Sequence, residues 1–318
     1  MAEPRTGAFS YVQYGKESTF GTEASTINSS FGHEVTINIE RRNNLIQIRG
    51  LNDRNVKKII EGNFDGMATV EGILGNTHWI ATAFGSASSS GSGPYTHTYS
   101  EADTLPSITI ENGIDLDTTD SVVKLLGCKL DEVTLSGAVG EPIRFRAVFF
   151  YKTETEDTTI DANPASDSEE PFTFAQASVE LPDGTTLDRV QRLEFALRNN
   201  LIKAYTSGSR FLSKIVAGAR DYTLSFDKTF EDSAMLEDFY GSATGPASST
   251  TEQTADINIT NGLSGTNLRK LQVTLTGFKL DPFTNPQSPN ELIIENISGI
   301  ARTGQAIGTD NTSTTIFD

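Results

Sequence analysis

Cysteine and tryptophan each occur once in the 318 residues, as Cys128 and Trp79. A lone thiol excludes an intrachain disulfide and any cysteine-based metal centre. Histidine is nearly as scarce: His33, His78 and His97 are the only three, and no two stand at metal-ligand spacing along the chain. A Gly-x-Ser-x-Gly elbow and a Gly-x-x-x-x-Gly-Lys phosphate loop are both missing. Asp115, Asp117 and Asp120 gather after Asn112-Gly113, but without the glycine and closing glutamate of a calcium loop. The sequence therefore offers no catalytic group, no cofactor site and no metal site, and it reads as a non-enzyme. Bases are also few. Lys and Arg total 25 against 42 Asp and Glu, for a net charge of −17. That balance argues against gripping nucleic acid through its phosphates, while it suits a surface past which nucleic acid slides. Apolar runs are too short to span a membrane, and Met-Ala-Glu-Pro-Arg-Thr opens no secretory signal. With no secretory route, the glycosylation-like triplets at Asn28 and Asn258 are read as chance.

What the chain does contain is a repeat. Arg-Asn-Asn-Leu-Ile at Arg42–Ile46 returns at Arg198–Ile202, an offset of 156 (198 − 42). The same offset carries Lys58-Ile59 onto Lys214-Ile215, Gly62 onto Gly218 and Asp65 onto Asp221. It also carries Phe84-Gly85-Ser86-Ala87-Ser88 onto Tyr240-Gly241-Ser242-Ala243-Thr244. Downstream the match continues with shorter offsets: Ile108–Gly113 with Ile257–Gly262, and Val133–Gly137 with Val273–Gly277. The chain reads as a duplicated domain, with length changes absorbed by Ser/Gly/Thr-rich loops.

Five segments follow. Residues 1–30 read as an N-terminal arm anchored by Phe9, Tyr11, Tyr14 and Phe20. Residues 31–152 form a first β domain and 172–302 a second. Between them, 153–171 carries seven acids and no base, which predicts a solvated, extended linker. Residues 303–318 read as a loose polar tail ending in Ile316-Phe317. Inside each domain the pattern is the same. Val35, Ile37 and Ile39 alternate with polar residues, as do Leu193, Phe195 and Leu197, predicting strands. A polar excursion follows (Gln47–Val56, then Ala204–Ser213), and a second alternating strand. One short helix comes next, at Thr77–Phe84 and at Ser233–Tyr240, each closed by a glycine and each with four apolar positions on one face. A flexible loop then leads to further strands at Ser107–Ile110, Cys128–Leu135 and Ile143–Tyr151, and in the second half at Ile257–Ile259, Leu271–Leu275 and Leu292–Ile297. The fold class is mainly β, with two tandem antiparallel sandwich or barrel domains and one short helix per domain.

The few bases concentrate in the excursions. Arg42, Arg49, Asn52, Arg54 and Lys57 in the first, and Arg198, Lys203, Arg210 and Lys214 in the second, are the candidate contacts with neighbouring subunits or rings. In so acidic a chain they complement the surface of another copy.

Laid out in this order, the chain resembles the tail tube proteins (major tail proteins) of long-tailed bacteriophages and related archaeal viruses. The resemblance rests on Gly15-Lys16-Glu17-Ser18-Thr19-Phe20-Gly21-Thr22, on strand, excursion, strand and helix, and on Tyr95–Tyr99 leading into Leu105–Gly113. It is completed by Leu126–Ser136 running into a long strand. It implies a structural protein that self-assembles into stacked rings around a lumen, delivering DNA without binding it specifically. It also implies contacts with other tail proteins, a place in the virion tail after assembly in the host cytoplasm, and no membrane. Single-domain members form six-membered rings, so two domains per chain imply three chains per ring with pseudo-sixfold symmetry; a homohexamer is the alternative. A different reading is a decoration or adhesion protein whose two sandwiches bind host glycans. A carbohydrate-acting enzyme is a third, and it needs a carboxylate pair that the sequence does not offer.

Overall fold

The computed structural model describes residues 5–116, 119–182 and 184–318. Asp117, from the acidic cluster, lies outside them. The first half contains β1 (Ser10–Lys16), β2 (His33–Arg42), β3 (Ile46–Arg49), β4 (Val56–Ile60) and β5 (Asp65–Ile73). A 3-10 turn at His78–Ile80 then leads into α1 (Ala81–Phe84). β6 (Gly85–Gly91), β7 (Tyr95–Glu101), β8 (Ile108–Ile114), β9 (Ser121–Ala138), β10 (Arg144–Tyr151) and β11 (Thr153–Asp157) complete it. The second half contains β12 (Ala177–Glu180), β13 (Val190–Arg198), β14 (Ile202–Tyr205), β15 (Leu212–Val216), β16 (Asp221–Thr229) and α2 (Ala234–Tyr240). It ends with β17 (Gln253–Thr260), β18 (Lys270–Thr284), β19 (Ile294–Ala301) and β20 (Thr303–Asp310).

One inner sheet runs through both halves in the order β2-β5-β10-β9-β13-β16-β19-β18, antiparallel throughout. Its strands have the period-2 pattern that one buried face demands. Phe145, Ala147, Phe149 and Tyr151 point inward from β10, and Leu193, Phe195 and Leu197 from β13. The glycines on β5 make room for these aromatics: a Cβ on Gly66 would lie 2.3 Å from the Tyr151 ring. β9 and β18 are 18 and 15 residues long, and each serves two sheets. Their first parts pair in the outer sheets β1-β8-β9-β11 and β12-β17-β18-β20; their second parts join the inner sheet. Gly127 and Gly277 sit where the strands change sheets, with φ of +71° and +70°, a backbone conformation that favours glycine. α1 lies between the sheets with Trp79 fully buried beside it, its indole nitrogen donating to the Phe31 carbonyl at 3.0 Å.

The pairings run in parallel through the two halves, and they fix which residues take equivalent places. Phe150 of β10 pairs with Lys129, and Ile300 of β19 pairs with Lys279. Lys129-Leu130-Asp131 therefore stands where Lys279-Leu280-Asp281 stands, with Gly127 matching Gly277. This overturns the expected alignment of Val133–Gly137 with Val273–Gly277; Val123–Gly127 is the stretch that matches. Likewise Glu111 pairs with Lys124 and Asp256 with Thr274, so Glu111 matches Asp256, and the alignment of Ile108–Gly113 with Ile257–Gly262 is four residues out. Both errors came from repeated short β motifs, which align in several registers when pairing partners are unknown.

Other expectations are corrected by tertiary pairing. The Ser/Gly-rich stretch after α1 is no flexible loop: it forms β6, paired with β7, and β7 in turn extends the second half's outer sheet at β20. The 303–318 tail is not loose. β20 pairs with both β18 and β7, and Phe317 is buried against Tyr14. The acidic 153–171 segment is not an extended linker. It begins as β11, its Glu154 binds Arg41, and Asp161 and Ala165 are held by the side chains of Tyr11 and Gln13. The N-terminal arm packs on its own half through β1, with Tyr14 fully buried. Finally, the four-residue apolar face of α2 is only partly covered: Met235 is buried, while Leu236, Phe239 and Tyr240 are half-buried.

Where β13 meets β9, Asn199 is 1% exposed. Its amide donates to the Ala83 and Leu130 carbonyls, both at 3.1 Å, and its oxygen accepts from Arg220 Nε. Asn199→Ala would leave these carbonyls unpaired and lower the unfolding free energy by roughly 2–4 kcal/mol. Asn43→Ala, at the matching exposed position of the first half, should cost under about 0.5 kcal/mol. Denaturant unfolding of the two variants checks the contrast.

Candidate functional site

The repeated Arg-Asn-Asn-Leu-Ile stretch ends the first inner strand of each half, and its local structure is the same in both. Asn44 and Asn200 have φ of +44° and +45°. Each donates from its amide to a backbone carbonyl across the hairpin base, Asn63 at 2.9 Å and Ala219 at 2.8 Å. Gly62 and Gly218 close the same base through their N–H groups, 3.0 Å from the Asn43 and Asn199 carbonyls. What differs is the surroundings. Across the seam from Asn199 lies β9, and the seam is fastened there. Arg192–Arg198 pair with Ala138–Glu132, Asn199 N–H donates to the Asp131 carbonyl at 2.7 Å, and Leu201 N–H donates to Asp131 Oδ1 at 2.7 Å. Burial raises the Asp131 carboxyl above its ordinary range, against the Leu201 hydrogen bond. Around Asn43 there is no such partner strand. β2 pairs only with β5, and the second part of β18 only with β19, so among the described residues the inner sheet ends in two unpaired edges.

The excursions are β-hairpins, β3–β4 and β14–β15. The second leans across the end of the first half's inner sheet. Phe64 N–H donates to the Arg210 carbonyl at 2.8 Å, the Tyr205 hydroxyl donates to the Phe64 carbonyl, and Phe211 packs on Phe64 with ring centres 5.8 Å apart. The first hairpin leans on nothing comparable and exposes Leu45, Ile46, Ile48, Leu51 and Ile59.

The candidate contact residues divide accordingly. Arg198 pairs with Glu132, Lys203 with Asp65 while lying over the Phe150 ring, and Arg210 donates to Asn43 Oδ1 at 2.7 Å. These three are used within the chain. Lys214 is exposed on β15. Arg42 reaches Glu40, and Arg49, Asn52, Arg54 and Lys57 are exposed on the first hairpin, with Asn52 at its tip in a left-handed conformation.

The polar face of the inner sheet carries arginines held by carboxylates. Arg146 lies 3.2 Å from Glu71 and 3.9 Å from Glu132, Arg198 lies 3.2 Å from Glu132, and Arg192 lies 2.7 Å from Glu194.

Sequence spacing showed no histidine pair, yet folding makes one. His78, before α1, and His97, on β7, meet at Asp310, the last residue of β20. His78 Nε2 is 2.7 Å from Asp310 Oδ2, and His97 Nε2 is 3.1 Å from Asp310 Oδ1. Burial alone would raise the Asp310 carboxyl, but the two histidine hydrogen bonds outweigh it and hold it well below the ordinary carboxylate range. Only knowledge that β7 pairs with β20 could have predicted this meeting. No helix among the described residues is long and apolar enough to cross a membrane.

No curated protein matches the chain. The family model described as phage tail tube protein matches residues 7–313. Nearly the whole chain is covered, including both inner-sheet edges and both hairpins, and the chain belongs to the phage tail tube protein family, a structural component of the virion tail.

Proposed function

We propose that this protein closes into rings of three chains by pairing the free β18 edge of one copy with the free β2 edge of the next. Stacked, these rings form the conduit for DNA. The observation that carries the reading is the β9–β13 seam. It joins the last inner strand of the first half to the first inner strand of the second, and β18 and β2 are the strands in the matching places. We take the chain to be two tube domains, 31–152 and 172–302, that are copies of one another. The seam inside the chain is then the template for the seam between chains.

Transferring the register gives specific pairs. Ala196 faces Thr134, so Glu40 would face Thr284; Arg198 faces Glu132, so Arg42 would face Pro282. Asn43 would donate to the Leu280 carbonyl as Asn199 does to Leu130, and Asp281 would accept from Leu45 N–H. Arg54 holds the place of Arg210 and would extend over the end of the adjacent copy's second half. The exposed apolar residues of the first hairpin and the half-buried face of α2 are then covered, as α1 already is within the chain. Pro286 and Pro289 interrupt the edge beyond Thr284, which shortens the shared stretch and keeps the free strand from indiscriminate pairing. Edges of this kind are heterologous, so they close when the rotation per copy divides a full turn. Three copies contribute six similar units.

The polar face of the inner sheet would line the lumen. Three of its arginines, Arg146, Arg192 and Arg198, are already compensated by Glu71, Glu132 and Glu194, which weakens the grip of this face on a passing phosphate backbone. The chemistry matches a structural protein rather than an enzyme.

Two measurements check this. In a variant carrying Glu40→Cys and Thr284→Cys, oxidation after assembly should give covalent ladders that stop at three chains, while Asn43→Ala or Asp281→Ala leaves a folded chain that does not assemble. A ladder that stops at six, or continues without closure, would sink the three-chain ring. Separately, the combined variant Glu71→Gln, Glu132→Gln and Glu194→Gln should gain salt-sensitive DNA retention of at least tenfold over the parent in a filter assay.

A further inference from the structure

We propose that His78, His97 and Asp310 bind a borderline divalent cation of the Zn2+ type, pinning the end of β20 to the first half of the chain. Three observations lead there. The ligand atoms converge: those of all three side chains lie within 4.8 Å of one another, and no other such group is found among the described residues. Ligands about 2 Å from a shared Zn2+ sit roughly 3–3.5 Å apart, and the two Nε2 atoms lie 2.7 and 3.1 Å from the carboxylate oxygens. Small shifts would bring all of them onto one ion.

The second observation is the position of the protons. Ser89 Oγ lies 2.6 Å from Asp318 Oδ2 and 2.7 Å from His97 Nδ1. The Asp318 carboxylate can only accept, so the single Ser89 proton goes to it. Ser89 Oγ then accepts from His97 Nδ1–H. Asp310 Oδ1 already accepts from Thr312 N–H at 2.6 Å. A neutral His97 would thus aim its Nε2 lone pair at a carboxylate oxygen, in a side chain with 0% exposure. A metal at Nε2 would take that lone pair and share it with the Asp310 carboxylate. The tautomer that Ser89 and Asp318 impose, with the proton on Nδ1, is the one a metal on Nε2 requires. A carboxylate behind a ligating imidazole is the usual orienting arrangement at metal centres.

The third observation is access. His97 and Asp310 are buried, but the His78 side chain is 15% exposed. It lines a surface cavity of about 380 Å³ that Asp167 and Glu169 also border. Asp167 Oδ2 is buried without a hydrogen-bond partner. An entering cation meets acid at the mouth, and water from the cavity can supply a fourth ligand. Two imidazoles and one carboxylate favour Zn2+, Co2+ or Ni2+ over Mg2+ or Ca2+. Both rings would ligate through Nε2 as neutral imidazoles, each carrying its proton on Nδ1.

The test uses the full chain before assembly, stripped with chelator and titrated with Zn2+ alone by calorimetry. Co2+ is then added for its visible absorption. We expect one Zn2+ per chain, the intense visible bands of four-coordinate Co2+, and a raised melting temperature. His78→Gln, the most exposed ligand change, should abolish stoichiometric binding while far-UV circular dichroism stays unchanged. Ser89→Ala, a positioning change, should weaken it about 10–100-fold, and His33→Gln, outside the cluster, should keep it. A parent chain that takes up no Zn2+ overturns the proposal; retention of binding in His78→Gln overturns it too.

Discussion

The antiparallel pairing of β9 with β13 is what the rest of the architecture depends on. It makes one inner sheet out of two halves, and it is fastened at one end by Asn199 and Asp131 rather than by an apolar plug. Buried amides and carbonyls tolerate few partners, so this clasp fixes register more sharply than hydrophobic contact could. From it follows the burial of α1, whose last carbonyls accept from Asn199 and Arg220. The second hairpin is seated across the first half by the same junction. Where the junction is missing, at β2 and β18, the same motif stands exposed, α2 is half uncovered and the first hairpin presents its apolar side chains to solvent.

Much of this was legible in the sequence. The alternation of Val35, Ile37 and Ile39, the helix closed by Gly85 and the duplicate pentapeptide each carry their own local signal. The excursions were visible as breaks in alternation. What failed was everything decided by a distant partner. β6 is Ser and Gly because it is an edge strand laid on β7, and composition alone reads that as a loop. β20 and β11 look polar because each lies in an outer sheet with one face to solvent. The acids of 153–171 suggested self-repulsion, but Arg41 holds Glu154, and Tyr11 and Gln13 hold Asp161. The site residues behaved likewise. The bases are plain in the sequence, but which of them are engaged inside the chain depended on which half had a neighbour. The histidine pair was invisible, since 19 residues and two elements separate its members (97 − 78).

The two halves are alike in pairing and unlike in filling. In the first half Trp79 packs on Phe145 at the heart of the sandwich. By strand pairing the place of Phe145 belongs to Glu295 in the second half, fully buried 4.0 Å from Lys228. Burial raises the Glu295 carboxyl while Lys228 opposes it. A desolvated ion pair at this distance is a weaker filler than an aromatic cluster, so the first half is the firmer support for everything docked on it.

Placing one seam inside the chain also changes the arithmetic of growth. Residues joined by a covalent segment meet at a high effective concentration that dilution does not lower. The β9–β13 contact is thus made at synthesis, before any second molecule is encountered. In the ring proposed above, every incoming chain would bring one joint already set, and a turn of wall would need half as many diffusive collisions.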